Sequence, residues 1–305
     1  MRTLQLEIFA LISLVFSGCA LAQDGAIPRE GFTLHYRTEG TGKPIIFLSG
    51  GPGFEVDYMK AAAELFPASY QRVFLEQRGT GRSRPAKLTN ENMSLRLMVE
   101  DLDALRIHLK LDRLLIAGHS WGGMLAMAYA AYRPEEIERL ILIDSGGPTL
   151  EFREWFGDNV EARLRPEDKE AYLYWKDAAK RDVDSDKTGD EISKAILPGY
   201  FFDRSKGLAF VAAQPPKGRF HQDAAALLDA DLLKNYDLRA GLQQLTRPVL
   251  IVQGHQDPIG DKTAEDIHRL IRSSTLRYIS RCGHFPWIEQ PVAMRNIVAE
   301  FLNSN

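Results

Sequence analysis

With 305 residues, 45% of them apolar and 26% charged, the chain can bury a large core and is long enough for one or two domains. A formal net charge of −3 lacks the basic excess that nucleic acid demands and the acidic excess of a disordered tail. Of the two cysteines, Cys19 falls in an N-terminal segment expected to be removed or lipidated, which leaves Cys282 without a disulfide partner, and one cysteine is too few for a structural zinc site. No H-E-x-x-H occurs either, so neither a metal nor a cofactor is expected.

Residues 1–22 read as an export signal. Arg2 gives a positive start, Ile8 to Phe16 is an apolar run too short to span a bilayer, and Ala20-Leu21-Ala22 fits a small-residue cleavage site before Gln23. A second reading takes "FSGC" as a lipobox with Cys19 lipidated, although Phe16 departs from that pattern; a third is an uncut N-terminal anchor. Under the first two readings the protein is periplasmic or secreted. A lipid on Cys19 would then be its sole tie to a membrane.

Beyond the signal, "FTLHYRTEG" alternates and breaks at Gly40, which predicts a strand and a turn. "PIIFLSGG" is a short apolar run ending in glycines, and "RVFLEQRGTGRS" repeats that design. Leu95, Met98, Val99, Leu102, Leu105 and Leu109 fall at helical spacing. "RLLIAGHSWGG" predicts a strand entering a tight turn, "MLAMAYAAY" a helix stopping before Pro134, and "IERLILIDSGG" another buried strand. Strands alternating with helices predict a mostly parallel α/β sheet. From about Pro148 to Tyr236 the chain turns charged and aromatic, with helical stretches and no apolar strand. Strand rhythm returns in "RPVLIVQGHQD", then a helix from about Thr263, the strand "STLRYIS" and a helix from Pro291 to Leu302. The expected organisation is an α/β core at 23–148 and 237–305 with a helical lid, 149–236, inserted at the carboxyl end of a strand. Open α/β sheets bind ligands at that edge.

The chemistry concentrates in four places. "GHSWG", Gly118 to Gly122, fits G-x-S-x-G between a strand and a helix and resembles the nucleophile elbow of α/β-hydrolases. Small residues flanking the serine let strand and helix approach, which pushes its hydroxyl outward. The competing reading makes Ser120 a helix cap. A serine nucleophile needs a base, and the base an orienting acid. In this fold these follow in the order serine, acid, histidine. Asp257 after "PVLIVQ" and His284 after "STLRYIS" satisfy that order at carboxyl ends of strands. His119, His221, His255 and His268 are the rival histidines, and Asp144 is the rival acid. An oxyanion needs two donors. Trp121 N–H is one, and the loop "SGGPG" supplies the other. A phosphate-cradle reading of that loop fails, because no Lys-Ser/Thr follows at P-loop spacing, Val56 stands where a third glycine belongs, and Pro52 lacks a donor.

Together "SGGPG", "EQRGTGRS", "GHSWGG", "GHQDP" and "CGH" resemble the proline iminopeptidase group of α/β-hydrolases, from about residue 30 to 300. The resemblance implies an α/β-hydrolase fold, a mostly parallel central sheet flanked by helices with an inserted helical cap. It implies Ser120, Asp257 and His284 as the triad and Gly51 N–H beside Trp121 N–H as the oxyanion donors. Arg78 and Ser83, in the second motif, read as turn and support residues. The family's HGGPG and DQRGxGxS become Ser49-led and Glu76-led here. Its aminopeptidases hold the substrate ammonium with cap glutamates, one usually after a tryptophan, whereas Lys176 follows Trp175. Glu151, Glu154, Glu161 and Asp203 stand as substitutes, and the substrate-binding residues stay open. The expected function is an exported serine hydrolase that cleaves an ester or amide through an acyl-enzyme, foremost an aminopeptidase acting on a short peptide or arylamide, proline favoured. A carboxylesterase is the alternative, and a non-catalytic ligand-binding protein the alternative of another class. Dehalogenase and epoxide-hydrolase relatives carry an aspartate where Ser120 stands.

Overall fold

The computed structural model describes residues 22–179, 185–213 and 220–304. Residues 1–21 of the segment expected to direct export, Cys19 among them, lie outside the described residues. In chain order the first half holds β1 (Gln23–Arg29), β2 (Phe32–Glu39), β3 (Lys43–Leu48), α1 (Met59–Ala63), β4 (Tyr70–Leu75), α2 (Leu95–His108), β5 (Leu114–His119), α3 (Trp121–Tyr132) and β6 (Ile137–Ile143). Helices α4 (Arg153–Glu161), α5 (Pro166–Ala179), α6 (Ser185–Ile196), α7 (Arg204–Ala212), α8 (Gln222–Asn235) and α9 (Arg239–Leu242) follow. The chain closes with β7 (Val249–Gly254), α10 (Asp261–Leu270), β8 (Ser274–Ile279), α11 (Pro286–Glu289) and α12 (Pro291–Asn303).

The eight strands form one sheet in the order β1-β2-β4-β3-β5-β6-β7-β8. From β4 to β8 every pairing is parallel, while β1–β2 and β2–β4 are antiparallel. The mostly parallel sheet read from the sequence is therefore present. Strand β1 escaped that reading. "QDGAIPR" carries a glycine, a proline and charges, and as an outermost strand it has one neighbour to satisfy, so it needs no apolar run.

The central strands are apolar on both faces because helices cover both. Along β6, Leu140 and Leu142 enter one core with α2 and α3, and Ile141 and Ile143 enter the other with α1 and α12. In β5, Leu114 and Ile116 divide from Leu115 and Ala117 in the same way. Each buried leucine or isoleucine contributes about 1.5–3 kcal/mol, so a one-residue slip in register would be strongly penalised.

A buried ion cluster ties the "EQRG" loop after β4 to its surroundings. Asp101 on α2 accepts from Arg78 Nε at 2.7 Å and Nη2 at 2.8 Å, and from Arg29 Nε at 2.8 Å. The Arg78 guanidinium also lies 4.4 Å from the centre of the Phe32 ring. Ser83 Oγ accepts from His35 N–H at 2.8 Å, closing the same loop onto β2.

The turn between β5 and α3 leaves no room for side chains. A β-carbon on Gly118 would lie 2.3 Å from the Gly122 carbonyl oxygen, and one on Gly122 would lie 2.4 Å from that of Leu48. Both obstacles are backbone, which cannot swing aside. Gly122→Ala is therefore expected to cost about 1–3 kcal/mol in urea unfolding, as overpacking does, and to displace the end of β3. An alanine variant with unchanged stability would contradict this packing.

Candidate functional site

Ser120 stands at φ 54°, ψ −118°, a backbone conformation that residues with a β-carbon avoid. It is held there from both sides. Its N–H donates to Ile143 O at 3.0 Å, and its carbonyl accepts from Gly123 N–H at 3.0 Å. Its side chain makes no capping hydrogen bond to α3. The helix-cap reading of Ser120 thus finds no support in the geometry.

His284 and Asp257 meet in the interior, 3% and 2% exposed. His284 Nδ1 lies 3.0 Å from Asp257 Oδ1. A carboxylate only accepts, so Nδ1 carries a hydrogen, and in a neutral ring Nε2 keeps its lone pair. Asp257 is itself oriented, accepting from Ile259 N–H at 3.0 Å and Gln253 Nε2 at 3.2 Å. The rival histidines have other partners. His255 pairs with Asp261 at 2.9 Å and His268 with Ser274 Oγ at 2.8 Å, both near the surface. His221 Nε2 faces Glu55 at 3.3 Å. His119 is buried between Tyr58 and the His284 carbonyl.

Asp144, the rival acid, ends β6 and is fully buried. Its Oδ1 accepts from Gly254 N–H at 2.7 Å, and among the described residues no donor reaches its Oδ2. Burial first, and the nearby Asp257 charge second, push its carboxyl well above the usual aspartate range. The carboxyl behind Asp257 is thereby biased toward its neutral form.

Gly51 follows the glycine that abuts the serine: a β-carbon on Gly50 would lie 3.1 Å from Ser120 Cβ. Trp121 opens α3, so its N–H is one of the orphan donors of a helix's first turn. Among the described residues, Gly51 N–H has no protein acceptor. Ser49 Oγ donates to Phe54 O at 2.8 Å across the loop.

Three supporting residues were missed in the sequence. Buried Gln77 donates through Nε2 to Ser49 O at 2.9 Å and Oγ at 3.0 Å, while its Oε1 accepts from the Trp121 indole at 2.9 Å. It joins the glycine loop to the residue after Ser120, and its place inside "EQRG" was the available signal. Tyr58 reaches back to Gly50 N–H and had no signal. Glu289 accepts from Gly283 N–H at 2.6 Å, Asp203 N–H at 2.8 Å and Phe202 N–H at 3.2 Å, clamping the His284 loop to the helical segment.

Ser120, Trp121, Gly51 and His284 all line one cavity of about 640 Å³. Its walls are largely aromatic and aliphatic, including Phe54, Phe156, Tyr200, Phe220 and Ile196. Among the described residues three acids line it: Glu55, Asp190 and Asp229, the last bound to Arg153 at 2.5 Å. The acids singled out in the sequence lie elsewhere. Glu151 pairs with Lys262, Glu161 with Lys169, Asp203 caps α7, and Glu154 is exposed. Lys176 lies over the Tyr172 ring and not in the cavity wall. These positions were unreadable because which helical face turns toward the sheet depends on packing between helices.

The chain matches the family described as alpha/beta hydrolase fold over residues 43–291. A proline iminopeptidase of Heyndrickxia coagulans is 28% identical over 279 residues, covering 87% of this chain and 92% of that protein. One from Xanthomonas citri is 31% identical over 281 residues, covering 83% and 87%. Among solved structures, an alpha/beta fold family hydrolase from Bacillus anthracis str. Sterne superposes with a TM-score of 0.75 at 22% identity, covering 92% of this chain and 100% of that one.

The buried Asp144 makes a prediction about pH. Its folded pKa is raised, so the folded state binds its proton more tightly than the unfolded chain does. That contribution to stability is present at low pH and declines as pH rises from about 4, the ordinary aspartate value, through the raised folded value. Asp144→Asn keeps an acceptor for Gly254 and removes the titration. Urea unfolding from pH 4 upward is expected to show a steeper decline in the wild type than in the variant. Parallel curves for the two would contradict the assignment.

Proposed function

The chain belongs to the α/β-hydrolase family, in its proline iminopeptidase-like group, and from that premise we propose that it is a serine hydrolase working through an acyl-enzyme. The observation that carries this is the buried Asp257–His284 pair, 3.0 Å apart, with His284 and Ser120 in the wall of one cavity. Ser120 Oγ attacks the substrate carbonyl as His284 Nε2 takes the hydroxyl proton. Asp257 holds the tautomer and stabilises the imidazolium. The N–H groups of Gly51 and Trp121 receive the oxyanion. Collapse of the tetrahedral intermediate breaks the bond to the amine or alcohol, which leaves with the proton from His284. Water, deprotonated by His284, then hydrolyses the acyl-enzyme and restores the serine.

The preferred substrate is a short peptide or arylamide cut after its N-terminal residue, proline favoured. Support comes from relatives named proline iminopeptidase and from acids in the cavity wall, Glu55 and Asp190 among them, whose negative charge suits a substrate ammonium. A carboxylesterase is the second reading, favoured by the aromatic wall and by the commitment of Asp229 to Arg153. Export is proposed on the N-terminal pattern alone.

A fluorophosphonate probe is expected to label the wild type and not Ser120→Ala. Absence of Ser120-dependent labelling sinks the serine mechanism and turns the reading toward a ligand-binding protein. Asp257→Asn is expected to lower kcat by about 10⁴, as loss of a triad acid does, whereas Asp144→Asn stays within a few-fold of wild type. Proline arylamides set against short-chain p-nitrophenyl esters separate peptidase from esterase. The mass of the mature N-terminus distinguishes cleavage before Gln23 from lipidation at Cys19. An intact Met1 in the purified protein would refute the export proposal.

A further inference from the structure

We propose that His119 and Tyr58 act as one positioning unit that holds the base loop and the oxyanion loop in a single register. The inference rests on the serine-hydrolase reading above and adds residues to it. His119 is 2% exposed, and its two ring nitrogens have different partners. Nε2 lies 2.8 Å from the His284 carbonyl oxygen. A carbonyl only accepts, so Nε2 carries the hydrogen. Nδ1 lies 2.8 Å from the Tyr58 hydroxyl, and in a neutral ring it must accept. Tyr58 therefore donates to Nδ1, and its oxygen accepts from Gly50 N–H.

The donors run in one direction, from Gly50 N–H to Tyr58, from Tyr58 to His119, and from His119 to the carbonyl of His284. Every group is satisfied in one state of the ring, the neutral Nε2–H tautomer. A protonated ring would turn Nδ1 into a donor, reverse its bond to the Tyr58 oxygen and leave the Tyr58 hydroxyl hydrogen without that acceptor. The surroundings favour the same state. Burial, and then the His284 ring with its centre 4.5 Å away, hold the His119 pKa well below the ordinary value. Burial also keeps the Tyr58 phenol protonated as a donor.

The two ends of the chain matter for the chemistry. Gly50 precedes the proposed oxyanion donor Gly51, and His284 is the proposed base. These loops follow different strands, β3 and β8, and have no sequence proximity to fix their separation. His119 stands between them, one residue before the nucleophile. The Trp287 ring at 4.8 Å and the Phe285 ring at 5.3 Å wall it in. An apolar side chain of similar size would fill the space but would leave Gly50 N–H and the His284 carbonyl at an altered spacing.

The test uses the ester or arylamide that the wild type turns over, with Tyr58→Phe, His119→Leu, the double variant and His119→Gln. Tyr58→Phe and His119→Leu are each expected to lower kcat about ten- to a hundredfold with KM within about threefold, the pattern of a lost transition-state arrangement. Groups acting as a unit are non-additive. The double variant is therefore expected to be no worse than the weaker single variant. His119→Gln, which has both a donor and an acceptor, is expected to recover part of the loss. Losses that multiply in the double variant, an effect on KM alone, or wild-type kcat in Tyr58→Phe would overturn the proposal. If His119→Leu fails to fold, Tyr58→Phe against His119→Gln carries the comparison. Ser120→Ala is assayed beside them. Turnover surviving there defeats the serine reading, while a dead Ser120→Ala beside a fully active Tyr58→Phe defeats this inference alone.

Discussion

Ser120 occupies a backbone conformation costing about 1–3 kcal/mol, and much of the core is arranged so that it has no other place to go. The strain is imposed by close approach. Gly118 and Gly122 let β5 and α3 pack against each other and against the end of β3 with no intervening side chain. Ile143 O takes the Ser120 N–H, and the first turn of α3 takes its carbonyl. The same approach brings Gly50 against the serine, so the glycine loop and the serine turn are placed by one packing constraint.

The helical segment between β6 and β7 is bonded to both loops of the site. On one side, Gly53 O accepts from His221 N–H at 2.9 Å, and Phe54 bridges to Phe220. On the other, His284 N–H donates to Tyr200 O at 2.8 Å, and the Glu289 carboxylate gathers the amides of Gly283, Phe202 and Asp203. Side chains of this segment make much of the cavity wall. In the proposed enzyme, substrate contacts and the reacting loops are therefore mechanically linked, and a change in the wall reaches the chemistry through the backbone.

Burial biases several groups around the Asp257–His284 pair toward their neutral forms, while the half-buried Arg163 guanidinium supplies a positive charge that interacts with Asp257 and Glu289. Burial lowers the pKa of His119 and raises those of Asp144, Tyr58, Tyr200 and Cys282, so each is driven to its neutral form. Glu289 is raised by burial and opposed by the amides it accepts from. Charge developing on His284 in the proposed reaction then forms in a medium of low dielectric, where Asp257, Arg163 and Glu289 each weigh heavily.

The sequence by itself determined the features that repeat locally. Apolar strands alternating with helices, glycines two positions either side of Ser120, and an acid and a histidine each following a strand are legible because steric and periodic rules act over a few residues. β1 was illegible for the converse reason: an outer strand satisfied by one partner needs no apolar signature. Only the tertiary structure decided that Asp257 meets His284 while Asp144 is left behind it, that Gln77 joins the glycine loop to Trp121, and that Glu55, Asp190 and Asp229 face the cavity. The tautomer of His119 was decided there too. Those outcomes depend on contacts between segments far apart along the chain, and such contacts are set by how the sheet and helices pack, for which no short stretch of residues carries a record.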